Sequence, residues 1–269
     1  DAEDVLHDAY LRWSAVDLAG VNDTKAYLAK VVTRQALNYA RAAARRREDY
    51  VGPWLPEPIR IDERDVSDDL ILAESVSTAM LVVLNTLTPD ERVVFVLREV
   101  FDFALAEIAD IVEKSEPAVR QIAYRARKHV HARRSRVHSA DVTRAAEVTA
   151  AFFAAVTSGR VDELMALLAP DVVYTADSDG KASAARRPVQ GVEAVATLLR
   201  GLMRLGQRSP DLRIDTHIFN GSPGVAVHFE GVTQAVFMLR VVDDVVADIY
   251  VTRNPDKLRG VSSIRSVTR

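Results

Sequence analysis

The stretch from Phe103 to Arg136 constrains this chain more than any other part of it. Leu105, Ile108, Ala109 and Val112 recur at the i, i+3, i+4, i+7 spacing of a single helix face. Glu113-Lys114 breaks that pattern. Ser115 then offers a hydroxyl that can accept a bond from an orphan amide of a new helix, and Pro117 is tolerated in a first turn, where its missing N–H costs no intrahelical bond. Val119, Ile122, Ala123, Ala126 and Val130 form a second, narrow apolar stripe, with Arg120, Gln121, Tyr124, Arg125 and Lys128 facing away from it. A short helix, a tight break and a capped helix with a basic outer face predict a helix-turn-helix whose second helix is the reading one. Many such motifs carry Gly four residues after the packed Ala. Glu113 stands there instead, which predicts a variant turn geometry.

Any solvated amphipathic hairpin would share this periodicity, so charge has to separate the two readings. Lys114 to Arg136 holds eight Lys and Arg against one acid, Glu116, in a chain of net charge -3. Local cations of that density suit phosphate contacts, whose affinity comes largely from released counterions. The acidic whole argues against a protein that grips bare DNA tightly, and suits one delivered to DNA by a larger partner.

Ahead of this motif, DAEDVLHDAYLRW (1–13) puts Val5, Leu6, Ala9, Tyr10 and Trp13 on one helical face. Asp23 or Thr24 can cap a second helix, about Lys25 to Arg47, with an apolar stripe through Tyr27, Leu28, Val31, Val32, Ala36, Leu37 and Ala40 and a basic remainder. Residues 50–74 turn to Pro and acids and read as an extended linker, in which Trp54 and Leu55 are expected to dock on a domain surface. Helix returns over about 72–87. Thr88-Pro89-Asp90-Glu91 is a strong start for another over 89–100, with Thr88 as cap and acids at the positive helix end.

Beyond Arg136 the pattern changes. Helices are predicted over 140–157, 161–168 and 192–205, and strands over 171–176, 212–219, 224–229, 232–242 and 245–252. The last four strands are separated only by Asn220-Gly221-Ser222-Pro223, Glu230-Gly231 and Asp243-Asp244, so they must pair antiparallel. Helices followed by such a sheet form an α+β domain in which a curved sheet wraps a helix. The whole is a multidomain chain: 1–49 and 75–136 as two all-α domains, the second with the helix-turn-helix, 50–74 between them, and 140–269 as the α+β domain. Its 269 residues contain no cysteine, which excludes disulfides and thiolate metal sites and fits a reducing cytoplasm. No cofactor or metal spacing is readable, and no run is apolar enough to span a membrane. The chain opens with Asp1, partway through a helical pattern, so a leading piece is expected to be missing.

Taken in order, these motifs resemble an extracytoplasmic-function (ECF) sigma factor. DAEDVLHDAYLRW resembles the region-2 helix that binds the polymerase clamp, and KAYLAKVVTRQALNYARAAARRR the helix that melts and reads the −10 element. LTPDERVVFVLREVFDFALAEIADIVEKSEPAVRQIAYRAR resembles region 4, which reads the −35 element. WLPEP (54–58) and NPDKL (254–258), with a C-terminal domain that resembles the SnoaL/NTF2-like cone, are similar to the ECF41-type members. Their DGGGK motif is matched at Asp177, Gly180 and Lys181, with Ser178 and Asp179 in place of two glycines. The resemblance implies that region 2 lacks its first helix. It implies as partners core RNA polymerase (beta-prime clamp and beta flap) and promoter DNA, with the C-terminal domain acting in cis in place of a separate anti-sigma protein.

Residue roles follow from that resemblance. Arg34 and Asn38 share a face that would meet the −10 strand, with Arg41, Arg45 and Arg46 on phosphates. Glu116, Arg120 and Gln121 would reach −35 base edges, with Ser115, Arg125, Arg127 and Lys128 on the backbone. Val5, Leu6, Tyr10 and Trp13 would contact polymerase, or equally pack a core. Trp54, Leu55 and Pro56 would meet Asp177, Gly180, Lys181, Asn254, Pro255, Asp256, Lys257 and Leu258 at a regulatory domain interface. The cone also admits an unidentified small-molecule ligand, or an enzyme using Tyr174, Asp177, Asp179, His217, His228, Asp248 or Tyr250, although none of these forms a catalytic motif. A ligand-responsive repressor or activator that needs no polymerase is the remaining alternative.

Overall fold

The computed structural model describes residues 2–17, 20–21, 23–46, 50–61, 77–134 and 142–265, and the elements are numbered along them. The chain divides into two compact units, residues 1–49 with 83–134, and residues 50–82 with 135–269.

The first unit is helical. α1 (Ala2–Ser14) leads into α2 (Thr24–Arg46), which starts where Asp23 Oδ1 accepts the Ala26 amide at 3.0 Å. α3 (Thr78–Asn85) begins in the residues assigned to the second unit and ends in the first, ahead of α4 (Pro89–Phe95), which opens on a complete capping box. The Thr88 hydroxyl accepts the Glu91 amide, while the Glu91 carboxylate accepts the Thr88 amide at 3.1 Å. The helix expected to run on to residue 100 widens into a π turn, Val96–Val100. α5 (Leu105–Val112) and α6 (Glu116–Arg134) then form the helix-turn-helix. Its stripes are buried as the periodicity requires: Ile108, Val119 and Ala126 have no exposure, and Ile122, Ala123 and Val130 very little. Ile111 joins the same core from a position the i, i+3, i+4 pattern passed over.

The turn itself departs from expectation. Glu113 adopts φ 57°, ψ 47°, the left-handed conformation a glycine would supply, so the geometry is not a variant one. The Glu113 amide and the Lys114 amide both donate to the Ala109 carbonyl, which satisfies the helix end. A residue with a Cβ pays about 1–2 kcal/mol for this backbone.

The second unit is an eight-stranded sheet in the order β3-β2-β7-β6-β5-β4-β1-β8. Its elements are β1 (Arg60–Ile61), α7 (Val142–Ser158), α8 (Val161–Ala166), β2 (Leu168–Asp177), β3 (Val189–Gln190) and α9 (Val192–Gln207). They continue with β4 (Arg213–Phe219), β5 (Ser222–Phe229), β6 (Val232–Val242), β7 (Val245–Thr252), α10 (Pro255–Leu258) and β8 (Ile264–Arg265). β4 to β7 are antiparallel through two-residue turns in which both residues have positive φ: Asn220-Gly221, Glu230-Gly231 and Asp243-Asp244. The sheet is nevertheless mixed. β2 runs parallel to β7 and β1 parallel to β8, because neither pair is joined by a short turn that would force reversal.

Alternation along β6 and β7 divides the core in two. Leu239, Ile249 and Val251 face a cluster with Phe152, Leu164, Val195 and Leu199 from the helices. Met238 and Tyr250 point the other way, into a second cluster with Phe219, Leu258, Val261 and Leu55. That last residue comes from the stretch read as a linker. Of 50–74, the part 62–74 lies outside the described residues. The part 50–61 is a packed component of the sheet domain, with β1 pairing against β4.

Candidate functional site

Residues 50–61 meet the sheet domain at one carboxylate. Asp177, at the end of β2, is fully buried. Its Oδ2 accepts the Leu55 amide at 2.8 Å and Lys257 Nζ at 2.6 Å, and its Oδ1 accepts the Tyr50 hydroxyl. Lys257 also donates to the Leu55 carbonyl at 2.6 Å, and its ammonium lies 4.3 Å from the Trp54 ring centroid and 5.1 Å from that of Tyr50. A desolvated cation is thus compensated by a carboxylate, a carbonyl and two aromatic faces. The Asp177 carbonyl accepts the Arg253 and Asn254 amides at 2.7 and 3.0 Å, which seats the NPDKL turn beside it. Asn254 caps α10 by accepting the Asp256 amide, and its Nδ2 donates to the Tyr50 hydroxyl at 3.0 Å.

The WLPEP, DSDGK and NPDKL segments are therefore brought together, within one compact unit rather than between two. Leu55, Pro56 and Leu258 are buried, Trp54 and Lys257 half-buried, and Gly180, Pro255 and Asp256 exposed. Asp179, in place of a glycine, takes φ 50° and Gly180 takes φ 67°. Asp tolerates this region better than most residues, and here its side chain is used: Oδ1 accepts the Val51 amide at 3.3 Å and Oδ2 pairs with Lys181 at 2.7 Å. Lys181 bridges onward to Asp256 at 2.8 Å. Two members of the site have no motif in the sequence. Tyr50 lies outside WLPEP. Asn220, legible only as a turn residue, is buried and donates to the Glu57 carbonyl while accepting the Ile59 amide.

These contacts set a pH response. The Lys181 ammonium holds Asp179 and Asp256 below the usual carboxylate range. Their contribution is complete above the unfolded value of about 4 and is lost as pH falls through the depressed one. Burial, then the bond to Asp177, pushes the Tyr50 phenol well above its ordinary value, and burial lifts Tyr174 to about 12. The stabilisation from neutral Tyr50 is present below about pH 10 and lost only as pH climbs through the raised value. In a spectrophotometric titration, Tyr50 and Tyr174 are expected to ionise late, and Tyr50→Phe should remove one late-ionising phenol.

The nucleic-acid candidates lie in the helical unit. Arg120, Gln121, Tyr124, Arg125, Arg127 and Lys128 are exposed along α6, and Glu116 is half-buried. Ser115 immediately precedes the helix, its carbonyl accepting the Val119 amide at 3.0 Å. Arg120 pairs with Glu116 at 2.7 Å, Arg127 with Glu99 at 2.7 Å, and Arg125 lies 3.7 Å from the buried Glu91. On α2, Arg34 and Asn38 are exposed. The side chains of Arg41, Arg45 and Arg46 lie outside the described residues. Arg34 pairs with Glu113, a partner that the sequence did not identify. On α1 the proposed contact face splits: Leu6 and Tyr10 are 60% and 65% exposed, Val5 is half-buried, and the Trp13 ring packs against Tyr27 in a tilted contact, with centroids 5.7 Å apart.

Besides Asp177, several of the polar residues considered for catalysis make structural contacts. Asp248 is paired with Arg240, Asp179 with Lys181, and His228 sits 3.3 Å from Asp215 and 3.1 Å from the Thr233 hydroxyl. Tyr174 and Tyr250 belong to different apolar clusters.

Residues 77–130 match the family described as Sigma-70, region 4, and residues 149–266 the SnoaL-like domain. The ECF RNA polymerase sigma factor SigJ of Mycobacterium tuberculosis is 37% identical over 97% of this chain and 86% of its own. SigG of the same organism, also an ECF RNA polymerase sigma factor, is 29% identical over 90% of this chain and 71% of its own. The crystal structure of M. tuberculosis SigJ superposes with a TM-score of 0.76 at 32% identity, covering 96% of this chain and 89% of that one. A helical unit with a region-4 helix-turn-helix, joined to a SnoaL-like domain and similar to such a relative along nearly its whole length, belongs to the family of ECF RNA polymerase sigma factors.

Proposed function

We propose that this chain binds core RNA polymerase and directs initiation at −35/−10 promoters, with its C-terminal unit regulating it in cis. α6 reads the −35 element through Glu116, Arg120 and Gln121, with Ser115, Arg125, Arg127 and Lys128 on phosphates. α2 meets the −10 strand through Arg34 and Asn38, with Arg41, Arg45 and Arg46 on its backbone. The exposed Leu6 and Tyr10 of α1 supply apolar surface for the polymerase clamp. The observation that carries the reading is the division of α6 into a fully buried apolar stripe and an exposed basic face. The C-terminal unit acts through the Asp177 lock on residues 50–61 rather than by turnover. A cavity of about 390 Å³ beside the lock, lined in part by Val51, Gly52, Gly180, Ser183 and Arg186, is where a small ligand would bear on it.

Reconstituted run-off transcription with purified core enzyme tests this reading. Promoter-specific transcripts that require both proteins support it. Operator binding that needs no core enzyme would instead make the chain a conventional repressor or activator. Arg120→Ala should cost about 1–3 kcal/mol of −35 discrimination, whereas Lys128→Ala should weaken all sequences alike and lower the salt slope by about 1. Because residues 50–61 are packed into the C-terminal unit, removing everything after Arg136 would also uncover Leu55 and Pro56. Point changes at the lock are therefore the cleaner probe of regulation.

A further inference from the structure

The turn of the helix-turn-helix holds a residue its backbone disfavours. Glu113 occupies a left-handed position that glycine adopts freely. The turn gains nothing from a glutamate there except its carboxylate, and that carboxylate is engaged. It accepts a hydrogen bond from Arg34 Nη2 and lies 3.7 Å from Lys30 Nζ. Lys30 and Arg34 stand one turn apart on α2, so a single acid faces two cations of the helix assigned to the −10 strand. The contact continues a seam between α2 and the helix-turn-helix. Ala29 packs against the apolar cluster of α5 and α6, and the Lys25 ammonium sits 5.1 Å from the Phe103 ring centroid.

A carboxylate and a phosphate diester offer a guanidinium the same kind of charged acceptor oxygens. The Arg34 and Glu113 side chains are 55% and 51% exposed, so a nucleic-acid backbone can reach the pair without unfolding anything. We infer that Glu113 is a built-in phosphate mimic, an intramolecular latch that occupies Arg34 and Lys30 and is displaced by nucleic acid. The inference rests on the −10 assignment of α2.

The test uses the full-length chain without polymerase and a labelled oligothymidylate of about 12 nucleotides as probe. Glu113→Gln and Glu113→Gly should each raise affinity about fivefold at low salt, and the gain should shrink as salt screens the pair. Glu113→Gly relaxes the backbone, so its melting temperature should not fall and a folding defect cannot account for its behaviour. Asp110→Asn, the same charge change on exposed α5 surface, should give a smaller gain, and Arg34→Gln should erase the effect of Glu113→Gln. No gain, an equal gain from Asp110→Asn, or a gain that survives loss of both Arg34 and Lys30 would overturn the latch. Failure of the underlying assignment looks different: Arg34→Gln alone would leave oligonucleotide affinity and initiation unchanged. In that event a Glu113→Gln gain abolished by Lys30→Gln would still support the latch.

Discussion

Replacing Asp177 with Ala should destabilise the SnoaL-like unit by about 3–5 kcal/mol, the cost of breaking a buried ion pair from one side. The loss is large because three donors depend on this carboxylate: Lys257 Nζ, the Leu55 amide and the Tyr50 hydroxyl. Truncation leaves an ammonium that is 14% exposed without its counter-ion and a buried amide without its acceptor. The chain has two tryptophans, so in a Trp13→Phe background the fluorescence of Trp54 reports release of residues 50–61. Urea unfolding should show a lower midpoint, and Trp54 should lose the ammonium stacked on it. A double-mutant cycle with Lys257→Ala should return strong coupling. An unchanged Trp54 spectrum together with additive effects would mean that Asp177 does not hold the segment.

Ile108→Ala should cost the helical unit about 2–5 kcal/mol, a large share of the roughly 5–15 kcal/mol that holds a typical domain together. Ile108 has no exposure and lies among Val94, Val119 and Ile122, where the two helices of the reading motif meet. Its loss leaves a cavity under α6 and removes the support that keeps the basic face in register. Far-ultraviolet dichroism during urea titration should show the earlier transition, and holoenzyme binding to a −35 duplex should weaken in parallel. Ile108→Val, at about 0.5–1.5 kcal/mol, should recover most of both. Full −35 binding by a destabilised Ile108→Ala protein would show that the motif is not the reading element.

Much of this architecture was legible in local pattern. Thr88 caps its helix as read, with the Glu91 carboxylate adding a return bond the sequence reading did not include, and β6 and β7 occupy 232–242 and 245–252 as predicted. The three turn segments closed three antiparallel hairpins, the first tighter than read, because Ser222 and Pro223 pair with Phe219 and Ile218 as the start of β5. The Val119-to-Val130 stripe is buried throughout. The resemblance to ECF sigma factors, carried by short motifs in order, agrees with the similarity to SigJ along nearly the whole chain. The left-handed turn at Glu113 was misjudged because a turn residue was read from its propensity alone, while the helix-end hydrogen bonds settled its backbone.

The sequence by itself determined periods, caps and turns, since each depends on side chains within a few residues of one another. Its short motifs could mark Trp54 and Leu55 as docking residues and bring WLPEP toward Asp177 and Lys257, but not say which atoms would meet: the Leu55 amide on the Asp177 carboxylate and its carbonyl on the Lys257 ammonium, 122 and 202 positions further along the chain. Nor could it reveal that Arg34 would be met by an acid 79 residues away. Charges and amides carry no periodic signature of their partners, and many pairings satisfy composition equally well. Only the packed backbone decides which of them come within hydrogen-bonding distance, because burial penalises every arrangement that leaves an ammonium or an amide unmatched.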